Sequence, residues 1–138
     1  MNVYFEIPGE PQGKGRPRFT KVGGYVKTYT PEKTASYENL VKVEYQMKYH
    51  GQQFPDVPLV MEIKAFYGIP KSASKKKREM MLTHLIRPTK KPDMDNVVKV
   101  IADSLNNLAY KDDTQIVECT VRKFYSEDPR VTVMIKEA

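Results

Sequence analysis

Along this sequence the spacing of apolar residues switches between two and about 3.6, and the order of the switches leaves few folds open. Val3, Phe5 and Ile7 alternate with polar neighbours, so residues 2–7 read as a strand. Leu59, Met61, Ile63, Ala65 and Tyr67 alternate against Glu62 and Lys64, which predicts a second long strand over 58–67. Two more strands are expected at approximately 114–125, with Val117, Cys119 and Val121 on one face, and at 130–136, with Val131, Val133 and Ile135. Helical patterns lie between them. Thr30-Pro31 is a helix start, a hydroxyl N-cap followed by proline at the first helical position. That helix should run to about His50, with Tyr37, Leu40, Val41, Val43, Glu44 and Met47 covering its faces. Ser72 or Ser74 can cap a short basic helix ending near Leu85, and a further helix starts at about Asp95 and ends near Leu108. Residues 8–30, rich in Gly, Pro and basic groups, form a loop plus a hairpin around Gly23-Gly24. The sum is one α+β domain over residues 1–138, a mixed or antiparallel sheet backed by helices. No repeat, low-complexity tract or linker divides it, and 138 residues suit a single core.

The same pattern excludes several classes. No segment approaches the roughly 20 apolar residues that span a bilayer. The start, Met1 to Ile7, alternates like a strand and lacks the basic beginning and long apolar run of a signal peptide. Cys119 is the single cysteine, so it has no partner for an internal disulfide and a reducing compartment is the simple expectation. A cytoplasmic protein without a membrane association follows.

Charge points to a class of partner. The formal net charge is +6, and it is unevenly placed. Lys14, Arg16, Arg18, Lys21, Lys27 and Lys33 face only Glu10 and Glu32 within residues 10–33. Lys71, Lys75, Lys76, Lys77, Arg78, Arg87, Lys90 and Lys91 face only Glu79 within 71–91. Two basic segments on an otherwise acidic chain favour a polyanion. Lysines and arginines that merely solubilise loops are the plainer explanation.

The chemistry concentrates in Lys91-Pro92-Asp93-Met94-Asp95-Asn96-Val97-Val98-Lys99, followed by Asp103 and by Tyr110-Lys111-Asp112-Asp113. At about 100° per residue, Asp95, Lys99, Asp103 and Asn106 share one face of the predicted helix. Val97, Val98, Ile101, Ala102, Leu105 and Leu108 fill the opposite arc. Asp93 lies just ahead of the helix. Capping of free N–H groups explains one of the two aspartates well and the second poorly. Asp112-Asp113 can be a plain turn signal, and Lys99 can be a simple i,i+4 partner of Asp95 or Asp103. Taken together the acids suggest more. Converging carboxylates repel, and a hard divalent cation removes that repulsion by accepting oxygen ligands from each. Magnesium keeps several waters and leaves positions for phosphate oxygens and an attacking water. Lys99, one turn after Asp95, could neutralise charge developing on a phosphate. A metal-assisted phosphodiester hydrolase is the candidate chemistry.

That run, with Asp103-Ser104-Leu105-Asn106 and Tyr110-Lys111-Asp112-Asp113-x-Gln115-Ile116, resembles the signature of the RusA family of Holliday-junction resolvases (crossover-junction endodeoxyribonucleases) over residues 91–117. The resemblance matches Asp93 and Asp95 to the family's paired aspartates, Asp113 to the later one and Lys99 to the essential lysine. It thereby implies catalytic roles for these four, with Asp93, Asp95 and Asp113 as metal ligands. Asp103 and Asp112 are supporting residues. Ile7-Pro8-Gly9, Lys14-Gly15-Arg16-Pro17-Arg18 and Tyr29-Thr30-Pro31 look like the variant common in phage and prophage members. Membership implies a homodimer, Mg²⁺ with Mn²⁺ as a substitute, and symmetric nicking of four-way-junction DNA in recombination and repair. Lys14, Arg16, Arg18, Lys75, Lys76 and Lys91 are the expected DNA contacts. A general structure-selective or flap nuclease using the same site, and a catalytically silent DNA-binding module, remain as rivals.

Other features carry less. Gly9 to Lys14 imitates a P-loop but has three residues between its glycines, and Gly15 stands where Ser or Thr is needed. His50 and His84 lack partners at metal-binding spacing and read as surface residues. Cys119 reads as core packing. Tyr4, Tyr25, Tyr29 and Phe19 could stack on bases, but strand packing explains them equally.

Overall fold

The computed structural model describes residues 1–15, 18–22, 24–29 and 32–138, and of residues 18–22 and 25–29 the backbone alone. The elements are β1 (Asn2–Pro8), β2 (Arg18–Val22), β3 (Tyr25–Tyr29), α1 (Glu32–Tyr49), β4 (Leu59–Gly68), α2 (Lys75–Leu82), α3 (Met94–Ser104), β5 (Ile116–Ser126) and β6 (Arg130–Glu137). A one-turn 3₁₀ helix, Asp113–Gln115, leads into β5. The expected helix start at Thr30-Pro31 lies outside the described residues, as does Gly23 of the hairpin.

Four strands form a sheet in the order β1-β6-β4-β5, and β2 and β3 pair separately as an antiparallel hairpin. β1 with β6 and β6 with β4 are antiparallel, whereas β4 and β5 are parallel. The sheet is therefore mixed and the fold α+β. A parallel neighbour requires a crossover, and here the crossover contains α2 and α3. Since β4 and β5 run the same way, α3 travels back along them. Its beginning sits by the strands' C-terminal ends, where the Tyr67 hydroxyl donates to the Pro92 carbonyl at 2.6 Å. Its end approaches the start of β5. This reversal places everything that follows.

One sheet face is buried and the other is not, as the strict alternation in β1 and β4 predicts. Val3, Phe5 and Ile7, Leu59 to Tyr67 at alternate positions, and Val131, Val133 and Ile135 pack against Tyr37, Val41 and Tyr45 of α1, Val97, Val100 and Ile101 of α3 and Leu105 just after it. Truncating a fully buried Ile101 or Leu105 to alanine would cost about 2–5 kcal/mol. Val43 and Met47 of α1 are exposed, so that helix buries a narrower stripe than its composition suggests.

Three boundaries differ from the sequence reading. Ser74 caps α2, accepting from the Lys77 N–H at 3.2 Å, but the helix stops at Leu82. α3 ends at Ser104, because Leu105 is its C-cap and Asn107 has φ of 61°, in the left-handed region asparagine tolerates. β5 starts at Ile116, and its apolar face is not core. Val117 is 59% exposed and Cys119 is exposed. β5 is one of the two edge strands, and the core reaches it through the partly buried Ile116, Val121 and Tyr125. Among the described residues no helix is long and apolar enough to cross a membrane.

Candidate active site

Asp93 occupies the N-cap position of α3 with an extended backbone (φ −74°, ψ 166°), yet its side chain caps nothing. Its Oδ1 instead accepts from Asn96 Nδ2 at 2.6 Å. Asp95, in the first turn, and Lys99, one turn on, are both exposed. Capping therefore does not account for either aspartate's carboxylate.

From Asp95 the polar stripe of α3 continues through Lys99 to Asp103, and Asp113 meets it from the turn before β5. These four side chains line one open depression of about 510 Å³, together with Val98 and Ala102 of the helix and Ile116 and Cys119 of β5. Asp113 is held by its neighbours. Its N–H donates to Asn106 Oδ1 at 2.8 Å. Gln115, buried, donates from Nε2 to the carbonyls of Pro55 and Val57 at 3.1 Å each and accepts the N–H groups of Lys111 and Asp112 at 3.0 and 3.2 Å. The turn carrying Asp113 is thus anchored to the segment ahead of β4. Burial raises the Asp113 pKa from its ordinary value, and hydrogen bonding to Asp103 and the charge of Asp112 add to the rise. Asp112 is exposed and accepts from Thr114 Oγ1 at 2.7 Å, which lowers its pKa. Its contacts are those of a turn residue.

Asp93 does not join the other acids. It opens into a neighbouring cleft of about 850 Å³, bordered by the Glu10–Gly15 loop, Lys33, Tyr67, Lys90, Lys91 and Asn96. Among the described residues, no three carboxylate, histidine or cysteine side chains are grouped so as to share one ion. Helix direction explains the separation. Asp113 adjoins Asp103, near the end of α3, and the eight residues from Asp95 to Asp103 span about 12 Å of helix. The full convergence of Asp93, Asp95 and Asp113 expected from the motif is therefore not present within this chain as folded.

The donor chemistry of the depression nevertheless suits magnesium. Carboxylates from α3 and from the following turn line the same open space, with Asp103 and Asp113 close enough to hydrogen-bond. Magnesium takes only one or two carboxylates and fills its remaining positions with water and phosphate oxygens.

The expected DNA contacts divide. Lys14 is occupied, its ammonium 2.7 Å from Asp103 Oδ2 and 3.4 Å from Glu38 Oε1. Lys75 and Lys76 are exposed on α2, and Lys91 is exposed at the cleft. Arg16 lies outside the described residues, and Arg18 is described in its backbone alone. Sequence reasoning missed Glu38 and, though it named Asn96, Asn106 and Tyr67, gave them no positioning role. Their signal is weak, because each is an ordinary residue whose role depends on a partner distant in the chain.

Comparison with known proteins adds an independent finding. The family model described as Endodeoxyribonuclease RusA matches residues 8–136. The uncharacterised protein YqaN of Bacillus subtilis (strain 168) is 42% identical over 137 residues, covering 98% of this chain and 96% of that one. A protein of Lactococcus phage r1t named crossover junction endodeoxyribonuclease rusA is 29% identical over 135 residues, covering 96% of this chain and 95% of that one.

Proposed function

The chain belongs to the RusA family of endodeoxyribonucleases, and from that premise we propose that it resolves four-way DNA junctions by paired, magnesium-dependent nicks. The observation that carries this reading is the shared depression of Asp95, Lys99, Asp103 and Asp113. Asp113 would ligate the ion directly with Asp103 supporting it, and Asp95, further along the same depression, would hold it through the waters that magnesium keeps. When bound, the ion would supply Lewis-acid polarisation of a phosphate and a water of lowered pKa. Lys99 stands beside these acids and neutralises charge gathering on the phosphate oxygens or the leaving oxygen. Asp112 keeps the turn in shape. Asp93, matched by the motif, borders the adjoining cleft, where its carboxylate would help hold an ion that accompanies the strand.

A homodimer follows from the substrate. A four-way junction has near two-fold symmetry, and a C2 pair of sites matches it with opposite strands cut. Mn²⁺ would substitute for Mg²⁺. The likeness to a phage protein of that printed name supports a phage-type resolvase acting in cytoplasmic recombination and repair.

The test is cleavage of a mobile four-way junction with and without Mg²⁺, beside linear duplex and a flap substrate. Symmetric nicks in the junction that require the ion support the reading. Equal or faster cutting of the flap would replace it with a general structure-selective nuclease. Binding without cleavage under either metal would leave a silent DNA-binding module.

A further inference from the structure

We propose that the cleft between the Glu10–Gly15 loop and the start of α3 is the track for the sugar-phosphate backbone of one DNA strand, with Lys33, Lys90 and Lys91 as its phosphate contacts. The proposal rests on the nuclease reading and adds where the substrate lies. Two acids border the cleft, Glu10 and Asp93. The Glu10 carboxylate is already taken up by the backbone N–H of Gly68, at 3.0 and 3.2 Å. Lys14 is likewise engaged, by Asp103 and Glu38. Among the described residues Lys33, Lys90 and Lys91 form no salt bridge. Three ammonium groups without a carboxylate partner, that of Lys90 lying over the Tyr125 ring at 5.7 Å, thus outnumber the two bordering carboxylates, of which Asp93 accepts from Asn96 Nδ2, and the net positive balance attracts a polyanion.

The wall that faces them is built rather than loose. Lys14 N–H donates to the Asn96 carbonyl at 3.4 Å, and Gly15 N–H donates to Thr34 Oγ1 at 2.9 Å. Gly13 lies so close to α3 that a Cβ there would meet Cβ of Asn96 and Cβ of Pro92 at 3.0 Å each. On the opposite side the Lys123 ammonium donates to the Lys90 carbonyl at 2.7 Å, fixing the backbone that carries the lysine pair. A pre-formed groove binds with less ordering cost than one assembled around its ligand.

Size and position select the ligand. A volume of about 850 Å³ corresponds to a cube under 10 Å on a side. That is narrower than even the roughly 12 Å major groove of B-DNA, so one backbone enters and a whole duplex does not. Asp93 and Asn96 border the cleft, and Asn96 is the immediate sequence neighbour of Asp95 in the first turn of α3. A strand in the cleft therefore passes round the helix start into the depression of Asp95 and Lys99. The lysines would position the strand and the acids would act on its next phosphate.

The experiment measures four-way-junction affinity against salt concentration in an Asp95→Asn background with Mg²⁺ withheld, so that the junction stays uncut. Lys33→Ala with Lys90→Ala should weaken binding about tenfold or more. The log–log slope should fall by about 0.7 per lost contact to an unpaired strand, or about 0.9 if the strand belongs to a duplex arm. Lys33→Arg with Lys90→Arg should keep both slope and affinity. Lys136→Ala, on the far side of the sheet, should change neither. Unchanged slope and affinity in the alanine pair, with normal junction binding by the parent, overturns the cleft and leaves the nuclease reading standing. A loss of affinity without a change of slope, or one the arginine pair shares, overturns it too. Failure of the parent to bind any junction sinks both.

Discussion

The ammonium of Lys14 lies 2.7 Å from the Asp103 carboxylate, across 89 positions of sequence, and so ties the glycine-rich loop to the polar stripe of α3. Lys14→Met should therefore act on the fold and on the acidic depression before it acts on DNA. The pair is partly exposed, which limits its own contribution to about 0.2–1 kcal/mol. A melting temperature lowered by a few degrees is the expected result, with the salt slope of junction binding unchanged. A slope reduced by about 0.9 would mean that Lys14 leaves Asp103 to meet a phosphate.

Asp113→Asn should remove cleavage and yet stabilise the metal-free protein. In the fold the Asp113 pKa is raised, chiefly by burial. Below the unfolded-state pKa the carboxyl is protonated in both states and the shift has no effect. As pH rises through the folded-state pKa the native protein carries a charge it disfavours, and stability is lost. Wild type should thus fall below Asp113→Asn in melting temperature at neutral pH, with the gap closing in acid. Added Mg²⁺ should raise the wild-type melting temperature and leave the variant's nearly unmoved. Equal melting curves at pH 7 and pH 4 would contradict the burial of this carboxylate.

Asp95→Asn should abolish junction cleavage with binding intact or tighter. The change removes a water-mediated hold on the ion and a negative charge from an exposed position while preserving volume, so the fold should be untouched. Gel-shift affinity and single-turnover cleavage on one junction separate the two effects. Full cleavage by this variant would remove the depression from the mechanism.

Lys99→Ala should slow cleavage by about two to three orders of magnitude, the range seen when one preorganised donor to a developing charge is lost. Lys99 borders the acids without ligating an ion in this proposal, so higher Mg²⁺ should not restore the rate. Rescue by excess Mg²⁺ would instead place Lys99 among the groups that tune the carboxylates.

Much of the frame was legible because it depends on local period. Strands β1, β4 and β6 appear where alternation predicts them, and α3 buries Val97, Val100 and Ile101 as a 3.6-residue period requires. The Asp95–Lys99–Asp103 stripe is a property of the same helix and needed no tertiary information. Period failed at β5, where Val117 and Cys119 alternate like core residues and lie exposed. Alternation says which residues share a face, not whether a helix covers that face.

Only the tertiary structure decided which acids meet. Strand direction is not written in a strand's own residues. It was the parallel pairing of β4 with β5 that sent α3 backward along the sheet, bringing Asp113 to Asp103 and leaving Asp93 at the other end beside Tyr67 and Lys91. The sequence likewise offered Lys14 as one more loop cation, and a contact spanning 89 positions made it the partner of Asp103. Local patterns arise from forces between near neighbours and can be read along the chain. The grouping of a site arises from chain direction and long-range packing, and it exists only once the sheet has formed.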